Sequence, residues 1–588
     1  MTHDLLLEPA ERWLAHDPDP ETQGELRRLI DAARAGEEGA RAEIAERFAG
    51  SLEFGTARLR GILGAGESRM NRAVVLRTCA GLGRYLLETL GEDVRRRGVA
   101  IGYDGRRLSR EFAEDTACAL AAAGIASHLS PIPCPTPVAA FAVSYLGAAA
   151  GVMVTASHNP PQYNGYKVYW ENAAQIIPPH DTGIAAMIDH APAANQVPRL
   201  PLEETRAKGL VRDFPEALER DYLDAVRKLS IRDGGDRGIS IVYTALHGVG
   251  DRLVRKALAE AGFTRVISVP EQAEPDGAFP TVAFPNPEEK GAMDLAFALA
   301  RREGAELVIA NDPDVDRLAV AVRAPGGDFI QLTGNEVGVL LGHYLLTEGG
   351  GGSERLVLAS CVSSPMLGTI AKKLGVRYEE TLTGFKWIAN RAMELERTTG
   401  ARFVFGYEEA LGYTVGPLVR DKDGIGAAVL LAELAAVRKA EGKTLLDELD
   451  ALARRYGLFL SGQRSFTFPG ASGMEVIATA MEKLRRNPPA AIHGASVLAR
   501  ADFEAGTHTL RDSTHEALPF PSSNVLVYEL EGGDRIIARP SGTEPKIKFY
   551  FDVREEMREG EPLADAAARA RTKMDALAEA FCRLAEMS

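Results

Sequence analysis

Residues 147–170 read GAAAGVMVTASHNPPQYNGYKVYW, and the change of texture inside them decides the fold. The first eight are small and apolar, the composition of a strand buried on both faces, whereas Asn159, Pro160, Pro161, Asn164 and Gly165 are turn formers. Ser157 therefore stands at the carboxyl end of a parallel strand, the place where open α/β sheets bind ligands. Loops there carry chemistry more often than the strands they join. A Ser157–His158 pair that only bonds local backbone is the plainer reading. An acyl-transferring nucleophile elbow is not expected, because G-x-S-x-G needs glycines where this chain has Thr155 and Asn159.

Working outward, short apolar runs alternate with longer helical patterns, which is the signature of βαβ units. Three runs open comparable segments: VAIGYDGR at 99, ISIVYTALHGVG at 239 and RLVLASCVSS at 355. Their spacing predicts three related α/β domains with mixed sheets. From about residue 465 the texture changes to strand-like NVLVYEL and KIKFYFDV followed by a helical end, the pattern of an α+β domain. Before residue 51, Leu26, Ile30 and Ala33 follow a cap near Asp19 to Thr22 at helical spacing. The expected division is a helical extension over 1–50 packed on the first domain, then domains over 51–225, 226–328, 329–462 and 463–588.

A chain of 588 residues is too long for one core. A formal charge of −14 argues against a general nucleic-acid binder, yet leaves room for an anionic substrate held by a local cluster of cations. The five cysteines are widely spaced with no C-x-x-C, which suggests a reducing compartment. With no basic leader before an apolar run and no bilayer-length apolar stretch, a cytoplasmic protein without membrane partners is expected.

ELVIANDPDVDRLAVAV, residues 306–322, carries the strongest chemical signal. Asp312, Asp314 and Asp316 alternate directly after a buried strand, so a tight turn can gather three carboxylates on one hard cation. An all-oxygen set suits Mg²⁺ rather than Zn²⁺. Three such groups repel one another unless a cation or several donors are present. An EF-hand is excluded, since Arg317 and Arg323 occupy its glycine and glutamate positions. A phosphatase with an aspartate nucleophile and a merely solvated acidic turn stay open here.

DRIIARPSGTEPKIKFYF, residues 534–551, has the composition of a phosphate cradle: Arg539 and Lys546 bring charge, Ser541 and Thr543 hydroxyls, and Gly542 close backbone approach. A hairpin with solvated ends would read the same way. FGYEEALGY at 405–413 sets Glu408 where a carboxylate could accept from neighbouring sugar hydroxyls. TGFKWI and VRDKDG contribute Lys386 and Lys422, each by itself an ordinary surface lysine.

TASHNP, DPDVDR, YEEALG and RPSGTEPK, in this order, resemble the four active-site loops of the α-D-phosphohexomutases, the phosphoglucomutase and phosphomannomutase superfamily. FGTARLRG at 54–61 and GYDGR at 102–106 are similar to its N-terminal elements, and RWLAHDPDPET, the Ala in EEALG and LVRDKDG look most like the phosphopentomutase and second-type phosphoglucomutase branch with its glucose-1,6-bisphosphate synthases. The resemblance implies four domains around a central cleft and an intramolecular phosphotransferase acting on small sugar phosphates, as a monomer or homodimer. It implies a phosphoserine at Ser157, with Mg²⁺ held by a phosphoryl oxygen and by Asp312, Asp314 and Asp316. A sugar bisphosphate such as glucose 1,6-bisphosphate would be intermediate and activator.

By the same resemblance His158 and Arg317 stabilise the moving phosphoryl group, and Lys167 carries protons to and from the sugar hydroxyl, neighbouring cations bringing its pKa down. Arg539, Ser541, Gly542, Thr543 and Lys546 would hold the phosphate not being transferred, Glu408 the sugar hydroxyls, while Arg60, Lys386 and Lys422 match basic positions facing the cleft. Two positions depart from the pattern. Ala410 stands where many hexomutases have serine, which keeps a pentose phosphate in play, and Arg58 stands where glycine is common. A bisphosphate synthase, a phosphomannomutase and a non-catalytic sugar-phosphate binder are the competing readings.

Overall fold

Among the described residues three α-helices precede the first strand: α1 (His3–His16), α2 (Pro20–Arg34) and α3 (Glu38–Arg47). Asp19 caps α2, accepting from Glu21 N at 3.0 Å, and Pro20 at the first helical position needs no partner for a missing N–H. Leu26, Ile30 and Ala33 then fall on one face and bury against Leu7, Ala10 and Ile44 in a small core of their own. Arg47 ties this layer to the chain beyond, reaching Glu25 at 2.7 Å and Ala65 O at 2.9 Å. The computed structural model describes residues 3–52, 58–232, 234–468, 472–541 and 546–587.

The first sheet has β1 (Arg58–Ile62), β2 (Val99–Tyr103), β3 (Ser127–Leu129), β4 (Ala150–Val154), β5 (Tyr163–Trp170) and β6 (Val211–Asp213), in the order β1-β5-β4-β2-β3-β6. Strands β4, β2, β3 and β6 run parallel, while β5 turns back antiparallel on β4 and carries β1 on its outer edge. Val99, Ile101, Val152 and Val154 bury against Val75, Leu82 and Leu86 of the helix Arg72–Leu90 and against Phe112 and Leu120. The second sheet repeats the plan with β7 (Ile241–Thr244), β8 (Val266–Ser268), β9 (Leu307–Ala310), β10 (Ala319–Arg323) and β11 (Phe329–Gln331), in the order β11-β10-β9-β7-β8. Its β9, β7 and β8 are parallel and β10 and β11 antiparallel.

By its contacts the chain forms two units, Met1–Leu332 with Gly412–Val437, and Thr333–Leu411 with Arg438–Ser588. The first holds both sheets just described. It also takes β15 (Gly412–Val415), where Arg317 bridges to Gly412, and most of the helix Gly424–Ala440.

The second unit contains β12 (Arg355–Ser360), β13 (Arg377–Thr381) and β14 (Arg402–Glu408), parallel in the order β13-β12-β14. It also contains an antiparallel sheet in which Leu458–Thr467 pairs along its whole length with Lys546–Glu555, followed by Arg535–Pro540, Leu526–Leu530 and Ala495–Asp502. Helices Ser472–Arg486 and Leu563–Leu584 cover one face through Ile477, Met481, Leu577 and Phe581. The other face, with Val527, Ile537 and Tyr550, packs on Cys361, Val362 and Leu382. Three α/β domains and a β-rich C-terminal domain make up the fold. Among the described residues no helix is long and apolar enough to cross a membrane.

Candidate active site

The loop after β4 and the loop after β9 meet in the first unit. Ser157 adopts a left-handed backbone, φ +53°, with its N–H on Thr155 Oγ1 at 2.8 Å. A non-glycine residue holds that conformation, at roughly 1–2 kcal/mol, only when its surroundings fix it. Arg106 does the fixing: its guanidinium donates to the carbonyls of Ser157 (2.6 Å), Pro160 (2.9 Å) and Tyr163 (3.2 Å), and Asp104 orients it from 3.5 Å. The Ser157 hydroxyl is thereby aimed at Asp312, donating to Oδ2 at 2.8 Å, with His158 Nδ1 3.3 Å away.

The aspartate loop is built by a comparable device. Val315 also has a left-handed backbone, φ +63°, and its N–H closes a turn on Asp312 O at 2.9 Å, so that the three side chains converge. Asn311 braces the turn by donating to Arg317 O while accepting from Tyr243 OH at 2.9 Å. One carboxylate oxygen each from Asp312, Asp314 and Asp316 lie within 4.8 Å of one another, all three residues buried. Lys167 Nζ sits between Asp314 (2.7 Å) and Asp316 (2.8 Å), Lys422 Nζ is 3.2 Å from Asp316, and Thr136 donates its hydroxyl to Asp314 at 2.7 Å. Arg317 gives its backbone N–H to Asp312 at 3.1 Å and sets its Nε at 3.9–4.0 Å from Asp312 and Asp316.

Oδ1 of Asp314 and of Asp316 are nevertheless buried without a hydrogen-bond partner. Buried carboxylate oxygens left open beside a third carboxylate are the donor set of a hard divalent cation, so the residues present fit one.

The field of this cluster is uneven. Burial and the two neighbouring carboxylates push Asp312 well above the usual carboxylate range. Burial works the same way on Asp314 and Asp316, but Lys167, joined at Asp316 by Lys422 and Arg317, outweighs it and holds both below that range. One expectation needs correction. Lys167 was expected among cations that lower its pKa. Burial does lower it, but its closest partners are Asp314 and Asp316, and their pull leaves it raised and protonated. Burial, Arg317, Arg60 and Arg58 keep His158 well below its ordinary pKa, so what it offers a phosphoryl group is a neutral imidazole.

Ser157, His158, Lys167, Arg317, Lys422 and the three aspartates are thus one cluster, and Arg60 joins it at one remove by donating to Asn159 Oδ1 at 2.8 Å. The remaining candidates lie in the second unit. Glu408, at the end of β14, accepts from Gly384 N at 2.6 Å, two residues before Lys386, whose ammonium stands 5.0 Å from the Trp387 ring centroid. Arg539 is opposite Lys548 in the antiparallel ladder and bonds Tyr550, and Ser541 N donates to Lys546 O at 2.7 Å. Gly542 and Thr543 lie outside the described residues.

Several contributors were not singled out by sequence reasoning. Arg106 lay inside the noted GYDGR stretch, but its reach across 50 residues has no local signal. Thr136 had none, and Asp421 lay unremarked inside the noted VRDKDG stretch: beside Lys422, it accepts from Tyr169 OH at 2.8 Å and Gln175 Nε2 at 2.6 Å, which anchors the lysine's loop to β5.

Family models match most of this architecture in order: phosphoglucomutase/phosphomannomutase α/β/α domain I over residues 51–194, domain II over 220–327 and domain III over 333–456. A probable phosphomannomutase of Haemophilus influenzae is 46% identical over 82% of this chain and 93% of its own length. The human phosphopentomutase is 37% identical over 92% and 90%, and a Staphylococcus epidermidis phosphoglucomutase 38% identical over 86% and 91%. Among solved structures, a putative phosphomannomutase from Thermus thermophilus shares the fold with a TM-score of 0.65, 23% identity, and coverage of 91% of this chain and 99% of its own.

Proposed function

The chain belongs to the phosphoglucomutase/phosphomannomutase family, whose members are phosphosugar mutases, and from that premise we propose that it moves a phosphoryl group between the 1-position and the 5- or 6-position of a pentose or hexose phosphate through a phosphoserine at Ser157. The observation that carries this reading is the Ser157 hydroxyl held 2.8 Å from Asp312 in a buried aspartate cluster. Phosphoryl transfer asks a protein for positioning and for charge on the moving oxygens rather than for covalent ingenuity. Arg106 and Thr155 supply the first, Arg317 and Lys422 the second.

When Ser157 takes a phosphoryl group from a sugar bisphosphate, the bond from phosphorus to Ser157 Oγ forms as the bond to the sugar oxygen breaks. Lys167, kept protonated by Asp314 and Asp316, is the acid that gives the departing oxygen its proton, and the Ser157 hydroxyl proton leaves to Asp312, the carboxylate it already donates to. The return transfer reverses these moves at the other hydroxyl. Mg²⁺ held by Asp312, Asp314 and Asp316 with a phosphoryl oxygen would neutralise charge on the transferring group and reduce the hold of the carboxylates on Lys167. Glu408 with Lys386 would position sugar hydroxyls, and Arg539, Ser541, Gly542, Thr543 and Lys546 the second phosphate. Relatives named for pentose and for glucose substrates, together with Ala410 in the sugar loop, support a site that admits a pentose phosphate.

The test is ³¹P NMR of the protein with Mg²⁺ and ribose, glucose or mannose 1-phosphate, with and without a trace of glucose 1,6-bisphosphate. Isomerisation that Ser157→Ala abolishes is expected. Unchanged turnover in that variant would overturn the reading, and bisphosphate accumulating from an added phosphoryl donor without isomerisation would replace it with a synthase.

A further inference from the structure

Arg58 is the first residue of β1, and its register partner on β5 is Lys167. Directly opposed residues of an antiparallel pair project from the same face of the sheet. The Arg58 side chain therefore leaves the sheet beside the ammonium that bridges Asp314 and Asp316. Two residues on, Arg60 projects from that face too and holds Asn159 of the serine loop. The charges that bear on Arg58 are those of Asp316, Arg317, Asp314 and Asp421, and Arg58 in turn bears on His158.

This pocket gathers the carboxylates Asp312, Asp314, Asp316 and Asp421 and the cations Lys167, Arg317, Lys422 and Arg58, with Arg60 at its edge. Without Arg58 the pocket would carry one positive charge fewer, which favours the metal and opposes the phosphoryl group.

We propose that Arg58 is a phosphoryl-binding residue of this enzyme, its guanidinium taking oxygens of the group on Ser157 while its charge restrains the aspartate cluster from binding the metal too tightly. The inference rests on the mutase reading above. Guanidinium suits the role because its planar fork can meet two phosphoryl oxygens at once.

The test compares wild type with Arg58→Gln and Arg58→Lys in two measurements, Mg²⁺ affinity of the dephosphorylated protein by calorimetry and single-turnover phosphorylation of Ser157 by glucose 1,6-bisphosphate. Arg58→Gln should bind Mg²⁺ about tenfold more tightly while phosphorylation slows by about a hundredfold. Arg58→Lys should return the Mg²⁺ affinity to near wild type and recover part of the rate, and it also serves should the glutamine variant fold poorly. Unchanged or weaker Mg²⁺ binding in Arg58→Gln overturns the proposal, as does tighter binding with an unchanged phosphorylation rate. Failure of wild type itself to become phosphorylated or to isomerise any sugar phosphate sinks the mutase reading instead, a result distinct from either.

Discussion

Replacing Lys167 by methionine removes the cation that lies between two buried carboxylates. Lys167 is 2% exposed and sits 2.7 and 2.8 Å from Asp314 and Asp316. Lys422 still reaches Asp316 at 3.2 Å, so the Asp314 carboxylate bears the loss, left with the Thr136 hydroxyl. Taking one partner from a buried pair costs about 3–5 kcal/mol. Unfolding entropy of ~2.1 cal/mol/K per residue, over a first unit of roughly 360 residues, makes ~0.75 kcal/mol/K. The melting of that unit should therefore fall by about 4–7 °C, read by calorimetry in EDTA. Saturating Mg²⁺ should narrow the gap to about 2 °C or less, because a cation bound to the folded state takes over the role of the ammonium. A gap of equal size in EDTA and in Mg²⁺, or no gap in either, would refute the assignment of these carboxylates as a charged, metal-competent cluster.

Thr136→Val keeps the helix start and the backbone bond to Asp314 but deletes the hydroxyl at 2.7 Å; Mg²⁺ affinity measured by titration calorimetry should fall about 10- to 100-fold, and an unchanged affinity would count against Asp314 as a ligand. His180, stacked on Trp170 with centroids 3.8 Å apart, is held below its ordinary pKa by burial, so the folded ring stays neutral where the unfolded one takes a proton. Stability should be level above about pH 6.5 and fall as the pH drops below it, since the unfolded state then binds more protons. Denaturant titrations of His180→Phe across that window should lose this part of the slope; an identical slope would mean His180 titrates alike in both states.

Much of this molecule is legible along the chain because the relevant physics is local. Strand runs such as GAAAGVMV and ELVIA announce themselves by composition, Asp19 with Pro20 by capping chemistry, and Asp312, Asp314 and Asp316 by their spacing on one turn. Family membership and the three α/β domains with a β-rich fourth follow from such stretches in order. What the sequence cannot carry is the sign of a field summed over distant residues. Lys167 read alone invites a lowered pKa; only the fold puts residues 314 and 316 against it and reverses the shift. Nor could spacing show on which face Arg58 lies, since a one-residue change of register between β1 and β5 would turn it away from the cluster. Arg106, Thr136 and Asp421 belong to the same class, each acting on a loop far along the chain through one side chain whose direction is set by packing. Composition and local turn chemistry thus determined the elements and the carboxylate set, whereas tertiary structure decided protonation, orientation and charge balance, because these depend on distances between residues that the sequence leaves far apart.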